Sequence, residues 1–584
     1  MLQFFKYVLA TVAGIFVFFI LGFVILVGIG SAMSSKGTSY TVKDNSVLRL
    51  DLNQIIVENA PEKDPFAELF GETITKVGLV DLKEAIANAA KDPKIKGIYL
   101  KSEYPEAGFS TLSELRKYLT DFQKTGKFIY SYGEYMTEKG YYIASVADTL
   151  ILEETGSLEL NGLAANITFF TGLFEKIGVK PEIFRVGEYK GAVEPFFRKS
   201  LSPENKEQIT SYINDIAKVI YKDMATSRKI APAAFEELLN NPVTTTTEAA
   251  EKKLITKTGY RDEIETLLRK KTSTKKSDDI PFVTLENYLK AEKTIKEGSR
   301  NNRIAVIVSQ GDIVTGEGTN ESIGAVSFIK ELRKAVEDDK IKAIILRINS
   351  GGGSAIASDE MWREIQLAKK EKPVYASMGD YAASGGYYMA MGCDTIIANP
   401  TTVTGSIGIF GMLFDAQELL NNKLGLTFES VETHEHADFP NLTKTMPEAE
   451  KWMIQKSVNE GYERFTAKAA KGRNMPVDQL KAIASGRVWT GNQAKENGLV
   501  DILGTLDDAI TLAAKKAKIA DDYQVKYYPT PKTDIEVIME KLTNQSKLKL
   551  REQLGVLAPH LDEINSLFQM DQVQARVPFS LDVK

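Results

Sequence analysis

KIKGIYL at residues 94–100 returns as KIKAIIL at 340–346, 246 residues further on. ADTLIL at 147–152 returns as CDTIIA at 393–398, and Gly162 is answered by Gly408, both at the same spacing. KIGV (176–179) matches KLGL (423–426) at a spacing of 247, and SRKI (227–230) matches GRNM (472–475) at 245. Chance similarity loses register, so a spacing this steady marks a duplicated domain. The period is far longer than a solenoid unit, and each copy must therefore build its own core. A chain of 584 residues is in any case too long for a single one.

The two copies follow one plan. A β-branched run (VLRLDL; IAVIVSQGDIV) precedes a helical stretch (DLKEAIANAAKD; SFIKELRKAVEDD) and a buried-type strand (GIYL; AIILRI). A second helix (STLSELRKYLTDFQKT; ASDEMWREIQLAKK) and a further strand (KFIYSY; PVYASM) follow. Strands alternating with helices predict layered α/β domains with largely parallel sheets. The expected division is an N-terminal segment 1–35, a first repeat 45–267, a connector 268–303, a second repeat 304–520 and a C-terminal extension 521–584. The connector contains LRKKTSTKKSDD and IKEGSRNNR and is polar and charge-rich. In the extension the strand signal fades, and DIEVIMEKLTNQSKLKLREQLG reads as an amphipathic helix for packing or assembly.

Tyr7 to Met33 carries no charge, and its centre, VLATVAGIFVFFILGFVILVGIG, is long enough to cross a bilayer as a helix. Cleavable leaders have shorter apolar cores of about 7–15 residues, so an uncleaved anchor in the lipid bilayer is expected. Lys6 precedes the span and Lys36 and Lys43 follow it, which leaves the orientation open. A net charge of −5 without a dense basic run gives nothing for nucleic acid to bind. The single cysteine, Cys393, excludes an intrachain disulfide, and within MAMGCDTIIA it reads as a small buried apolar residue.

The copies differ where chemistry could reside. After AIILRI the second copy has NSGGGS (349–354), whereas the first has SEYPEAG (102–108). Three glycines after a buried strand let backbone N–H groups approach a ligand, although such a run alone is more often a turn. About 30 residues on, GDYAASGGYY (379–388) matches GEYMTEKGYY (133–142), with Ser384 in place of Glu138. A serine opening a helix is usually a cap. Flanked by Ala and Gly after a strand, it also fits an exposed nucleophile beside backbone donors.

A nucleophile needs a base. His434 and His436 lie in a polar, acidic stretch and His560 in the extension; no local pattern supports a triad or a metal site. A lysine can serve only if a desolvating environment keeps it neutral. In EIFRVGEYKGAVEPFF (182–197), Lys190 sits among aromatic and small residues, and the corresponding ESVETHEHADFPN has no lysine. One copy thus has the serine and the other the lysine, as a site shared between two repeats would leave them.

AIILRINSGGGSA, YASMGDYAASGGYYMA, TGSIGIFG (404–411), ASGRVWTGNQAKENGLVD (484–501) and FRVGEYKGAVEPF together resemble the signal peptide peptidase A (protease IV) family in its long, duplicated form. One departure is Gly351, where proline is usual in that family's turn. The resemblance implies two tandem Clp/crotonase-like spiral domains and a serine endopeptidase with no metal or other cofactor. It implies Ser384 as nucleophile, Lys190 as general base, Ser406 as the group orienting the lysine, and Gly385 and Gly353, with Gly352 beside it, as the oxyanion hole. It further implies a single-pass protein of the bacterial cytoplasmic membrane, its body on the exported side, assembled as a homotetramer and degrading signal peptides. Two alternatives stand beside it: a non-catalytic membrane scaffold of the same fold and a crotonase-like acyl-CoA enzyme.

Overall fold

The computed structural model describes residues 6–7, 14–18, 20–21, 40–60, 76–293, 298–319, 321–520, 522–529 and 573–576. The expected membrane span lies largely outside these residues. No helix among the described residues is long and apolar enough to cross a membrane. The helix expected at 534–555 and the third histidine, His560, also lie outside them.

Two parallel sheets dominate. In the first, the strands run in the order Lys257–Thr258, Thr149–Leu158, Phe128–Met136, Ile95–Lys101, Ser46–Asp51, Phe282–Thr284. In the second, Ile502–Leu503, Thr395–Ala398, Val374–Ala383, Ile341–Ser350, Arg303–Gln310 and Gln524–Tyr528 neighbour one another in the same order. Val403–Gly405 and Val488–Thr490 extend the second sheet beside the far end of Val374–Ala383. The repeat in the sequence is thus a repeat of topology.

The unbroken apolar runs follow from burial on both faces. Ile344 and Leu346 pack with Met361 and Ile365 of the helix Ala355–Glu371. Ala343 and Ile345, their neighbours in sequence, pack with Leu506, Ala509 and Ile510 of Leu506–Lys516 on the other face. The helix Ala325–Glu337 buries Ala325, Phe328, Leu332 and Ala335, a stripe at helical spacing. Phe328 and Leu332 each contribute about 1.5–3 kcal/mol by leaving water.

Three segments differ from their sequence reading. IAVIVSQGDIV is two strands, because the chain turns at Gly311 and Asp312–Val314 leaves for another sheet. Within the polar stretch 268–303, Phe282–Thr284 forms a parallel edge strand on Ser46–Asp51, with Val283 buried. Beyond residue 520, Gln524–Tyr528 pairs with Arg303–Gln310. Both strands sit at sheet edges, where one neighbour suffices and the sequence signal is correspondingly weak.

A third sheet joins the halves. Its order is Ser322–Gly324, Asp312–Val314, Gly352–Ser354, Val573–Arg576, Phe410–Asp415, Lys180–Arg185. Lys180–Arg185 is the contribution of the first half and pairs antiparallel with Phe410–Asp415 over six residues. A buried ion cluster fastens the halves elsewhere. Arg347 reaches Glu58 Oε2 and Glu114 Oε1, both at 2.8 Å, and all three side chains are inaccessible to solvent or nearly so. Burial pushes the Glu114 carboxyl up to about 7 even beside the arginine. Removing Arg347 would leave two buried carboxylates without a cation, a change that costs about 3–5 kcal/mol for such pairs.

Candidate active site

The strand Val374–Ala383 runs directly into the helix Gly385–Ala390, and Ser384 is the joint, with φ 55° and ψ −111°. This backbone is strained for a residue with a Cβ, at a cost of about 1–3 kcal/mol. Two backbone bonds hold it: Ser384 N–H donates to the Gly405 carbonyl at 2.8 Å, and Tyr388 N–H donates to the Ser384 carbonyl at 2.8 Å. Ser384 stands at the cap position of its helix, yet its side chain makes no capping bond. The hydroxyl faces Lys190 instead.

Lys190 arrives from the first half through the third sheet. Arg185 pairs with Phe410, the chain turns through residues 186–189, and Lys190 heads a short 3-10 turn, Gly191–Val193. Its Nζ lies 2.9 Å from Ser384 Oγ, 3.0 Å from Ser406 Oγ and 3.1 Å from the Ser406 carbonyl oxygen. All three residues are fully buried. Burial holds the Lys190 amine well below its ordinary range, and among the described residues no carboxylate pairs with it to restore the charge.

The lysine is fixed from behind. Gln208 Nε2 donates to the Tyr189 carbonyl at 2.9 Å, and the buried Glu194 carboxylate accepts from Ser202 N–H and Asn205 Nδ2, each at 3.0 Å. Gly486, with φ 79°, lies against it: a Cβ there would stand 2.7 Å from the Lys190 Cβ and backbone nitrogen. Ser406 also has a left-handed backbone, φ 49°, and its N–H donates to the Arg487 carbonyl at 2.7 Å.

The glycine turn lies on the other side of the serine. A Cβ on Gly352, where φ is 105°, would fall 2.8 Å from the Gly385 nitrogen, so the turn and the start of the helix touch. Gly352 N–H donates to Ser350 Oγ at 3.1 Å, which takes it out of use as an oxyanion donor. Gly385 N–H opens the helix, among the donors that have no intrahelical acceptor. Gly353 is in the strand Gly352–Ser354.

The structure thus brings Ser384, Lys190, Ser406 and the glycine turn together. It does not bring the histidines: His434 contacts Thr433 and His436 contacts Glu450 in the second half. Among the described residues no group of three or more His, Cys, Asp or Glu side chains could hold a metal ion. Three supporting features escape the sequence reading. Gly486 lies in the quoted GRVWTG segment without a visible task, Gln208 looks like any polar helix residue, and Val573–Arg576 is too short a strand to give a signal.

A buried serine in direct contact with a desolvated lysine, at a strand-to-helix turn beside a helix-opening backbone N–H, is the arrangement of a serine hydrolase that uses lysine as base. The peptidase family S49 model matches the chain twice, at residues 121–275 and 366–520. Protease 4 of Salmonella typhi is 33% identical over 555 residues, covering 92% of this chain and 89% of that protein. The chloroplastic serine protease SPPA of Arabidopsis thaliana is 35% identical over 449 residues, 76% of this chain and 66% of that one. A putative signal peptide peptidase SppA of Enterococcus faecium is 35% identical over 283 residues, 48% of this chain and 80% of that one. The chain belongs to peptidase family S49 and is a serine peptidase. Membership in a peptidase family sets aside the scaffold and acyl-CoA alternatives.

Proposed function

We propose that Ser384 is the nucleophile and Lys190 the general base of an endopeptidase that degrades signal peptides and other apolar peptides. The observation that carries this reading is the 2.9 Å contact between Lys190 Nζ and Ser384 Oγ, made with both groups fully buried. A neutral amine donates its hydrogens to Ser406 and keeps a lone pair for the Ser384 hydroxyl proton. As Ser384 Oγ attacks the scissile carbonyl, that proton passes to Lys190 and the carbonyl oxygen becomes an oxyanion. The N–H groups of Gly385 and Gly353 face this oxygen, while Gly352 contributes the close approach that a Cβ would block. The ammonium so formed is buried without a carboxylate and readily returns its proton to the departing amine. Water then attacks the acyl-enzyme by the same route in reverse.

The substrate lies extended beside the glycine strand Gly352–Ser354, in the place that Val573–Arg576 fills in this structure, and adds a strand to the third sheet, which suits unfolded, apolar chains. The name of the Enterococcus faecium relative supports signal peptides as the substrate class. The charge-free run before Met33 supports an anchor at 1–35; the repeats 45–267 and 304–520 as Clp/crotonase-like spirals, on the exported side of a bacterial cytoplasmic membrane, rest on the resemblance. The homotetramer rests on the resemblance.

Ser384→Ala and Lys190→Ala each abolish cleavage of an apolar reporter peptide and leave the oligomer and its melting transition in place. Cleavage retained by either variant removes the dyad. A fluorophosphonate label mapped to Ser384 identifies the nucleophile directly. Protease digestion of intact cells against opened envelopes tests the side on which the body lies.

A further inference from the structure

We infer that Gln208 is a positioning residue of the reaction, whose side-chain amide locks the backbone carrying the base to the strand that holds the base's partners. The inference rests on the Ser384–Lys190 reading above and extends it to a residue that hydrogen-bonds to neither. Gln208 is buried on the helix Pro203–Arg228 of the first half. Its Nε2 donates to the Tyr189 carbonyl at 2.9 Å and to Asn205 Oδ1 at 2.8 Å, and its Oε1 accepts from Val488 N–H at 3.0 Å. Both hydrogens of the amide are in use within the first half, and its oxygen crosses to the second.

The two ends of the Lys190 turn are tied to one stretch of this helix. Gln208 holds Tyr189, just before the lysine, and Asn205 Nδ2 donates to Glu194, just after the turn Gly191–Val193. Gly191 lies against the same asparagine: a Cβ there would stand 2.4 Å from Nδ2. On the far side, Val488 is paired with Gly405, whose carbonyl accepts from Ser384 N–H. The Arg487 carbonyl, one residue earlier, accepts from Ser406 N–H. One amide thus refers the lysine, the nucleophile and Ser406 to a common frame, although the lysine comes from the other repeat. A misplacement of about 1 Å at such a contact can cost 10²-fold in rate. The charged groups at this junction pair with one another, Arg487 with Glu207 at 2.6 Å and Arg185 with Glu194 at 3.9 Å.

The same helix face continues into contacts that lack this geometry. Ser211 Oγ accepts from Gln493 Nε2 at 3.0 Å, and Asp215 accepts from Thr490 Oγ1 and from Asn492 Nδ2. Positions 208, 211 and 215 recur at helical spacing, so all three join the helix to the second half. Of the three, Gln208 alone holds backbone next to the base. Ser211 and Asp215 therefore serve as controls for simple adhesion between the halves.

The test measures hydrolysis of the apolar reporter peptide by full-length protein between pH 6 and pH 10, with the melting temperature of each variant. Gln208→Met keeps the bulk and removes the amide. It is expected to lower kcat by about 10- to 10²-fold with KM within about twofold. It should also move the acid limb to higher pH, because a loosened turn admits water to the Lys190 amine. Gln208→Asn, one methylene too short to reach Tyr189 and Val488 together, is expected to do the same and covers the case of a Gln208→Met chain that fails to fold. Ser211→Ala and Asp215→Ala are expected to lower the melting temperature while kcat stays within about twofold and the limb stays in place. Parent-like kcat and limb in a folded Gln208 variant, or equal losses of kcat in the control variants, overturns the inference. Lys190→Ala, assayed alongside, separates the two readings. Cleavage that survives it removes the dyad and this inference together, whereas an inactive Lys190→Ala beside a parent-like Gln208→Met removes the positioning role alone.

Discussion

In the first repeat the strand Phe128–Met136 runs into the helix Glu138–Ala144, and Glu138 stands where Ser384 stands in the second. The backbone frame is shared but the side chains have opposite tasks. Thr137 caps its helix by accepting from Gly140 N–H, and the buried Glu138 carboxylate accepts from Asn161 N–H at 3.1 Å, Gly162 N–H at 3.0 Å and the Tyr221 hydroxyl. The Thr137 hydroxyl and both oxygens of the Glu138 carboxylate are engaged in holding the fold. At the second junction the serine leaves its helix uncapped and turns its hydroxyl to a lysine from the other repeat. A position in a fold becomes a candidate for chemistry when its polar group is released from structural duty.

The largest expected effects test that contrast directly. Ser384→Ala and Lys190→Ala are expected to lower kcat by at least about 10³-fold. Glu138→Ala should leave kcat within a few-fold and instead cost about 1–3 kcal/mol of stability, because buried donors lose their acceptor. Loss of turnover in folded Glu138→Ala protein would break the division between the repeats. Peptide hydrolysis and urea unfolding of the three variants measure both sides.

Titration sharpens it next. Lys190 must be neutral to take a proton, so activity should rise with pH along a limb below lysine's ordinary 10.5. In the unfolded chain the same lysine is protonated up to that value. Between the folded and unfolded values the unfolded chain therefore binds more protons, and this lysine's contribution to stability grows with pH. Lys190→Met should remove that slope in urea unfolding between pH 6 and pH 10, and Lys190→Arg, which cannot become neutral, should be inactive throughout.

Smaller effects concern how the lysine is held. Ser406→Ala should lower kcat by about 10- to 10²-fold, as loss of positioning does, and shift the acid limb, with substrate binding nearly unchanged. A simple packing role would move the melting temperature and not the pH profile. Gly486→Ala adds a Cβ against the Lys190 backbone at a left-handed position and should cost about 1–2 kcal/mol, read as a fall in melting temperature.

The sequence already showed much of this. Local pattern carries the alternation of strands and helices, and a register of 246 residues carries the duplication, so both sheets were foreseeable. The serine and lysine segments stood out because each departs from its own copy. Edge strands were missed: Phe282–Thr284 and Gln524–Tyr528 are short and flanked by polar residues, and only the neighbouring strand makes them strands. Ser384 read by default as a helix cap, and nothing local could show that its hydroxyl makes no capping bond.

What the sequence determined by itself was a two-copy α/β chain in which one copy kept a serine between small residues and the other a lysine among apolar ones. Only the tertiary structure decided that these two groups meet. They lie 194 residues apart, and the third sheet, which takes Lys180–Arg185 across to the second half, brings them to 2.9 Å. The downward shift of the lysine's pKa was likewise decided there, because desolvation depends on everything packed around the amine and not on its neighbours in the chain.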